Sequence, residues 1–149
     1  MQAAELASLI GVLLECDFDI SIETNGTILP DLQKFPLYRR VDWIFDYKLP
    51  SSEMEKHNMP NEQWLMIPDR SWIKYVIATQ GDFDSALEHA RFVCEDRPDV
   101  QIAFSACLGL PGSLPPEEII RQCIQRKLFD VKFNLQIHKF IFPDGENKK

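Results

Sequence analysis

Ser21, Glu23 and Asn25 alternate with Ile20 and Ile22 in the stretch Ile20-Ser21-Ile22-Glu23-Thr24-Asn25-Gly26-Thr27. Side chains of a strand point to opposite faces in turn, so a hydroxyl, an acid and an amide crowd one face of a short strand. Gly26 ends it where a backbone with positive φ is cheap. Such groups at a strand's C-terminal end mark a ligand edge. Further along, Asp46 and Lys48, Ser105, and Gln136 and His138 stand at comparable positions.

The elements that must position these groups follow from periodicity. Residues 3–15 read as a helix, with Leu6, Leu9, Ile10 and Leu13 on one stripe. Strand one is 19–23 and strand two 43–48, stopped by Pro50. Residues 51–70 read mostly as a loop, with a short helix near Asn61 to Met66; a loop that long in a compact domain is usually functional. Strand three is Trp72 to Thr79. Gly81-Asp82 offers a cap for a helix over 83–96. Strand four is 100–105. A helix opens at Ser113 to Pro116 and runs to about Lys127, acidic at its start and basic at its end, as the helix dipole favours. Strand five is 131–138, and 144–149 is a frayed polar tail. Helix and strand alternate, which predicts an α/β fold with a mainly parallel sheet in one domain, 1–143.

Both faces of a doubly wound sheet are apolar, because helices cover both. Here Trp43, Phe45 and Tyr47 oppose Ile44, Asp46 and Lys48, and Val131, Phe133, Leu135 and Ile137 oppose Lys132, Asn134, Gln136 and His138. Two arrangements fit a sheet with one polar face: an open sheet, or a barrel or part-barrel with a wet interior. The polar groups gather at the strands' C-terminal ends, where parallel barrels hold their ligands, and this favours the second.

Hydrophobic residues make up 45% of the 149, enough for a packed core, and the net charge of −7 argues against nucleic acid as a partner. The cysteines Cys16, Cys94, Cys107 and Cys123 have no metal or redox spacing and read as buried free thiols of a cytoplasmic protein. The apolar run Leu6 to Leu14 is too short to span a bilayer, so no membrane partner is expected. His57 and His89 read as exposed. Trp43, Phe45, Tyr47, Trp72 and Tyr75 read as core against the helices.

Glu23-Thr24-Asn25-Gly26-Thr27, Asp46-Tyr47-Lys48-Leu49-Pro50-Ser51-Ser52 and Leu135-Gln136-Ile137-His138-Lys139, taken in order, resemble the 7-carboxy-7-deazaguanine synthase family of radical S-adenosylmethionine enzymes. Trp72 to Ile77 and Phe104-Ser105 fit the intervening strands. The resemblance covers residues 2–143. It implies a partial (β/α) barrel of mostly parallel strands, a truncated radical S-adenosylmethionine barrel. It also implies conversion of 6-carboxy-5,6,7,8-tetrahydropterin to 7-carboxy-7-deazaguanine, on the route to queuosine and related deazapurines. The family's cofactors are S-adenosylmethionine, a [4Fe–4S] cluster and magnesium. Its tight N-terminal trio of cysteines and its Gly-Gly-Glu-Pro strand end have no counterpart here, so the chain reads as the rear two-thirds of such an enzyme. A non-catalytic remnant that keeps a pterin- or nucleoside-binding face, and another organic-radical activating enzyme, are the alternatives.

By resemblance Glu23, Asn25, Lys48, Ser51 and Ser52 lie near the cofactor, and Ser105, Gln136 and His138 near the pterin. Each also has a plain structural role open to it: a polar turn for Glu23 and Asn25, an ion pair with Asp46 for Lys48, a capping hydroxyl for Ser105. Lys74 either meets a carboxylate in the interior or snorkels. No metal ligand and no catalytic residue is assigned. A homodimer is implied by the family, and the first strand's open edge also invites self-association. The purified chain is expected to assemble no [4Fe–4S] cluster on anaerobic reconstitution; a cluster absorbance band after that treatment would contradict this.

Overall fold

The computed structural model describes residues 3–128, 130–135, 137 and 141. Its elements are α1 (Ala3–Glu15), β1 (Ser21–Thr24), β2 (Asp42–Tyr47), α2 (Asn61–Trp64), β3 (Trp72–Ile77), α3 (Gln80–Asp96), β4 (Gln101–Ala106), α4 (Pro116–Gln125) and β5 (Lys132–Phe133). Short 3-10 turns lie at Pro36–Arg40, Pro50–Ser52 and Glu55–His57. The five strands form one sheet in chain order, and each neighbouring pair is parallel. Helices flank it, an arrangement consistent with a partial (β/α) barrel.

One face carries the core. Phe45 pairs in register with Ile73 and Ile73 with Ile102, while Tyr47 pairs with Tyr75 and Tyr75 with Phe104. Phe45, Ile73, Tyr75, Ile77 and Phe104 are wholly buried under Phe83, Ala86 and Val93 of α3 and Ile119 of α4. Each large side chain so buried contributes about 1.5–3 kcal/mol. At the N-terminal end of the sheet Arg97, just after α3, donates to the carbonyls of Leu65 and Ile67 at 2.9 Å each and pairs with Asp99 at 2.7 Å. That hydrogen bond holds the Asp99 carboxyl down at about 2.

Several boundaries differ from the sequence expectation, each for a local reason. α3 starts at Gln80 because Thr79, not Gly81-Asp82, is its cap. The Thr79 hydroxyl accepts from the Asp82 N–H at 3.1 Å, and the Asp82 carboxylate accepts from the N–H groups of Thr79 and Ala78 at 2.9 Å each. This capping box ends β3 at Ile77 rather than Thr79. Lys48 lies just beyond β2, and among the described residues of 131–138 the strand β5 takes in Lys132–Phe133. Gln136, His138, Lys139 and the tail 144–149 lie outside the described residues. Cys16 is exposed rather than buried, because α1 ends before it and its turn faces solvent, while Cys94, Cys107 and Cys123 are half-buried.

His89 is not exposed. Its ring stacks on Tyr47 with centroids 3.8 Å apart, meets the edge of Trp64, and places Nδ1 2.8 Å from the Tyr75 hydroxyl. Nε2 is buried without a partner among the described residues. The residue falls between Ala86 and Val93 on the helix face that packs against the sheet, a place the aliphatic stripe alone did not include. Burial lowers the His89 pKa from 6.5 to about 4. The unfolded chain therefore takes up this proton first, and stability falls as the pH drops from 6.5 to 4. The component amounts to roughly 3 kcal/mol. His89→Phe is expected to flatten that part of the pH dependence, read from urea unfolding at pH 7 and pH 4.5. An unchanged slope between the two would contradict the assignment.

Candidate functional site

Opposite the core, no helix among the described elements covers the sheet, and the residues of that face pair their own charges. Lys74 leans from β3 across β2. It hydrogen-bonds Glu23 of β1 and stands 3.3 Å from Asp46 Oδ1. Lys48 closes on the other oxygen of Asp46 at 3.1 Å. Glu23, Lys74, Asp46 and Lys48 thus form one alternating chain of charge across three strands. Burial alone would lower the Lys74 pKa; the hydrogen bond to Glu23 and the charge of Asp46 reverse this and hold it above the ordinary lysine value. Lys74 is therefore a partnered interior charge and not a snorkelling one. Asp46 Oδ1, buried and near Lys74 without hydrogen-bond alignment, is the one orphaned acceptor of the group.

The strand ends above this chain are tied together by backbone bonds. Asp82 reaches out of the first turn of α3 to accept the N–H of Ser51 at 3.0 Å, and the Ser51 hydroxyl faces the same carboxylate. Burial alone would raise the Asp82 pKa; these bonds and those from Ala78 and Thr79 bring it below the usual value. Ser52 donates its hydroxyl to Leu49 O at 2.6 Å. Asn58 braces Lys48 like a neighbouring strand, accepting its N–H at 2.8 Å and donating to its carbonyl at 2.9 Å. Gly26, at φ +70°, sits where an added Cβ would lie 2.6 Å from the Asp46 carbonyl, so the turn after β1 packs directly on the end of β2. Asn25 caps that turn through Thr27 N at 3.3 Å and Thr27 Oγ1 at 2.9 Å.

The structure brings Glu23 and Lys48 together through Lys74 and Asp46, and sets Ser51 and Ser52 on the loop above Lys48. Asn25 lies in the adjoining turn and spends its amide oxygen locally. Ser105 is fully buried and donates to Asn134 O at 3.0 Å, which seats the chain after β5. Gln136 and His138 lie outside the described residues. Sequence reasoning did not single out Asp82 or Asn58 as anchors. The spacing Thr79-Gln80-Gly81-Asp82 carries the capping-box signature, whereas nothing local marks Asn58. Trp72, expected in the core, shares the parity of Lys74 and lies half-buried on the uncovered face.

Two concavities open on this side. One of about 160 Å³ lies at the strand ends, between Lys48, Ser51, Ser52, Val76 and Cys107. The other, of about 400 Å³, lies lower on the face between Glu23, Trp72, Lys74, Lys132 and Asn134. Small-molecule sites commonly enclose about 300–1,000 Å³, and only the lower one reaches that range. Among the described residues no three His, Cys, Asp or Glu side chains come together as metal ligands. The cysteines are dispersed over the turn after α1, α3, the turn after β4, and α4, so this donor set does not fit an iron–sulfur cluster. Among the described residues no helix is long and apolar enough to cross a membrane.

A five-stranded parallel sheet with flanking helices and paired charges on the face opposite its core is consistent with a partial (β/α) barrel. In sequence, the chain is similar to the 7-carboxy-7-deazaguanine synthase of Clostridium acetobutylicum, at 29% identity over 140 residues. The match takes in 93% of this chain and 59% of that enzyme's length. No family model matches the chain, and no solved structure matches it. The likeness accords with the resemblance read from the sequence and supports a relationship between the two proteins.

Lys74→Met would leave Glu23 and Asp46 without their shared cation. A loss of about 1–3 kcal/mol is expected on urea unfolding, with part of it recovered when Glu23→Gln is added. Additivity of the two substitutions in a double-mutant cycle would show that the ion pair carries no coupling.

Proposed function

We propose that this chain forms the pterin-facing part of a 7-carboxy-7-deazaguanine synthase-like radical S-adenosylmethionine lyase, acting on 6-carboxy-5,6,7,8-tetrahydropterin. The observation that carries the reading is the similarity to the Clostridium enzyme along 93% of the chain. The uncovered face adds a physical reason: Glu23 and Asp46 both pair with Lys74 there, beside a concavity of small-molecule size. In this reading Glu23 accepts hydrogen bonds from ligand hydroxyls or ring N–H groups, and Lys74 orients it. Lys48 and the Ser51-Ser52 loop border the strand-end concavity, and Asp82 holds that loop in register with α3. Gln136 and His138 are proposed as further pterin contacts. S-adenosylmethionine, a [4Fe–4S] cluster and magnesium belong to the reaction so proposed, which takes place in the cytoplasm. No step through the cluster is assigned to this chain, whose cysteines do not converge. A homodimer is proposed as the assembled form.

The dispersal of the cysteines favours a second reading, a non-catalytic domain that retains pterin binding. Anaerobic calorimetry of the purified chain separates the two. Saturable binding of both S-adenosylmethionine and the carboxytetrahydropterin, each weakened by Glu23→Gln, is expected of the enzyme reading. Binding of the pterin alone supports the second reading, and binding of neither overturns both.

A further inference from the structure

β1 is an edge strand: the order runs β1-β2-β3-β4-β5, and among the described residues β1 pairs only with β2. Ile20 O accepts from the Asp42 N–H at 2.9 Å, so the backbone of Ile20 turns toward β2. Backbone groups of successive strand residues alternate in direction, and those of Ser21 and Glu23 therefore point to the open edge. An edge with free N–H and C=O groups is a template for a further strand.

The chain leading into this edge exposes apolar side chains. Leu9 and Val12 stand about one turn apart on α1 and are 45% and 58% exposed, while Ile10 between them is buried. Phe18, 58% exposed, sits in the turn that joins α1 to β1. The same stretch is acidic: residues 3–33 hold Glu5, Glu15, Asp17, Asp19, Glu23 and Asp31 and no lysine or arginine. Glu23 is paired with Lys74. Glu15, Asp17 and Asp19 are exposed and make no ion pair among the described residues. Arg39 and Arg40, on the 3-10 turn beside α1, pair with none of them. Two copies meeting edge to edge would bring these carboxylates against one another, and like charges across a strand pair are destabilising. A segment carrying lysine or arginine would instead meet the opposite charge.

We propose that the open edge of β1 docks an extended basic segment of another polypeptide. The segment pairs with Ser21 and Glu23 through backbone hydrogen bonds and covers Leu9, Val12 and Phe18 with its apolar side chains. Its lysines or arginines lie beside Glu15, Asp17 and Asp19. This goes beyond the reading above, because it concerns a protein partner and requires neither S-adenosylmethionine nor the pterin. It also gives this edge to a different chain, so that a homodimer would form through another surface.

The probe is the peptide acetyl-Lys-Lys-Val-Thr-Val-Thr-Val-Lys-Lys-amide, followed by two-dimensional proton–nitrogen NMR of the full chain at low ionic strength, where surface charge is least screened. The Ser21 and Glu23 amide resonances are expected to shift saturably and their hydrogen exchange to slow. Replacing the peptide's lysines with glutamates is expected to abolish both effects. Asp17→Asn combined with Asp19→Asn, at exposed positions, is expected to weaken the apparent affinity about fivefold. Phe18→Ser is expected to weaken it as well. Ser21 and Glu23 amides unmoved at millimolar peptide would overturn the proposal. So would equal binding of the lysine and glutamate peptides, or an affinity unchanged by the double substitution. Self-association of the chain alone that protects the same amides, with the assembly sized by sedimentation equilibrium, would give the edge to a second copy and overturn it too. The peptide is titrated without cofactor or pterin, so its failure is distinct from a failure of the functional reading.

Discussion

The rest of the molecule is arranged around a sheet that, among the described residues, is covered by helices on one side. Helices bury one face, and the other must keep its polar groups solvated or paired. Lys74 does most of this, because its ammonium lies between Glu23 and Asp46 while Lys48 neutralises the far side of Asp46. The four charges sum to zero across three strands. Neighbouring strands stand about 4.8 Å apart, so a side chain from β3 that reaches β1 must lean over β2. The outcome is a polar floor whose carboxylates are paired with ammonium groups, since charged groups taken from water without partners are costly.

The strand ends depend on a second set of constraints, made by backbone groups. Asp82 collects N–H groups from the loop after β2 and from the turn after β3. Gly26 lets the turn after β1 touch the end of β2 with no side chain between. Three separate loops are thereby held at fixed heights above the charged floor. These are positioning roles: the residues named in them touch protein, and the groups at the strand ends owe their placement to them. On the other side of the sheet, His89 stays neutral inside an aromatic cluster of Tyr47, Trp64 and Tyr75, and couples α3 to the strands.

Much of this was legible in local pattern. Alternation over residues 43–48 and 131–138 separated an apolar face from a polar one, and the order of helices and strands implied a parallel sheet. Glu23, Asp46 and Lys48 stood out as polar residues on a strand face. Errors arose where a residue's fate depends on a partner distant in sequence. His89 looked like a surface helix residue because its partners, Tyr47 and Tyr75, belong to two other elements. Trp72 looked like core by residue type, although its parity with Lys74 placed it on the other face. Asn58 carries no local signal at all; its role exists only because the loop folds back beside Lys48.

By itself the sequence determined the class of fold, the polarity of the two sheet faces and the kinds of group available for binding. It did so because strand and helix periods are properties of consecutive residues. The tertiary structure alone decided which charges meet. Lys74 is separated from Glu23 by 51 positions, and Ser51 from Asp82 by 31. Such pairings follow from strand register and from the height of each loop above the sheet. Both are set by packing of the whole core, to which no single segment holds the key.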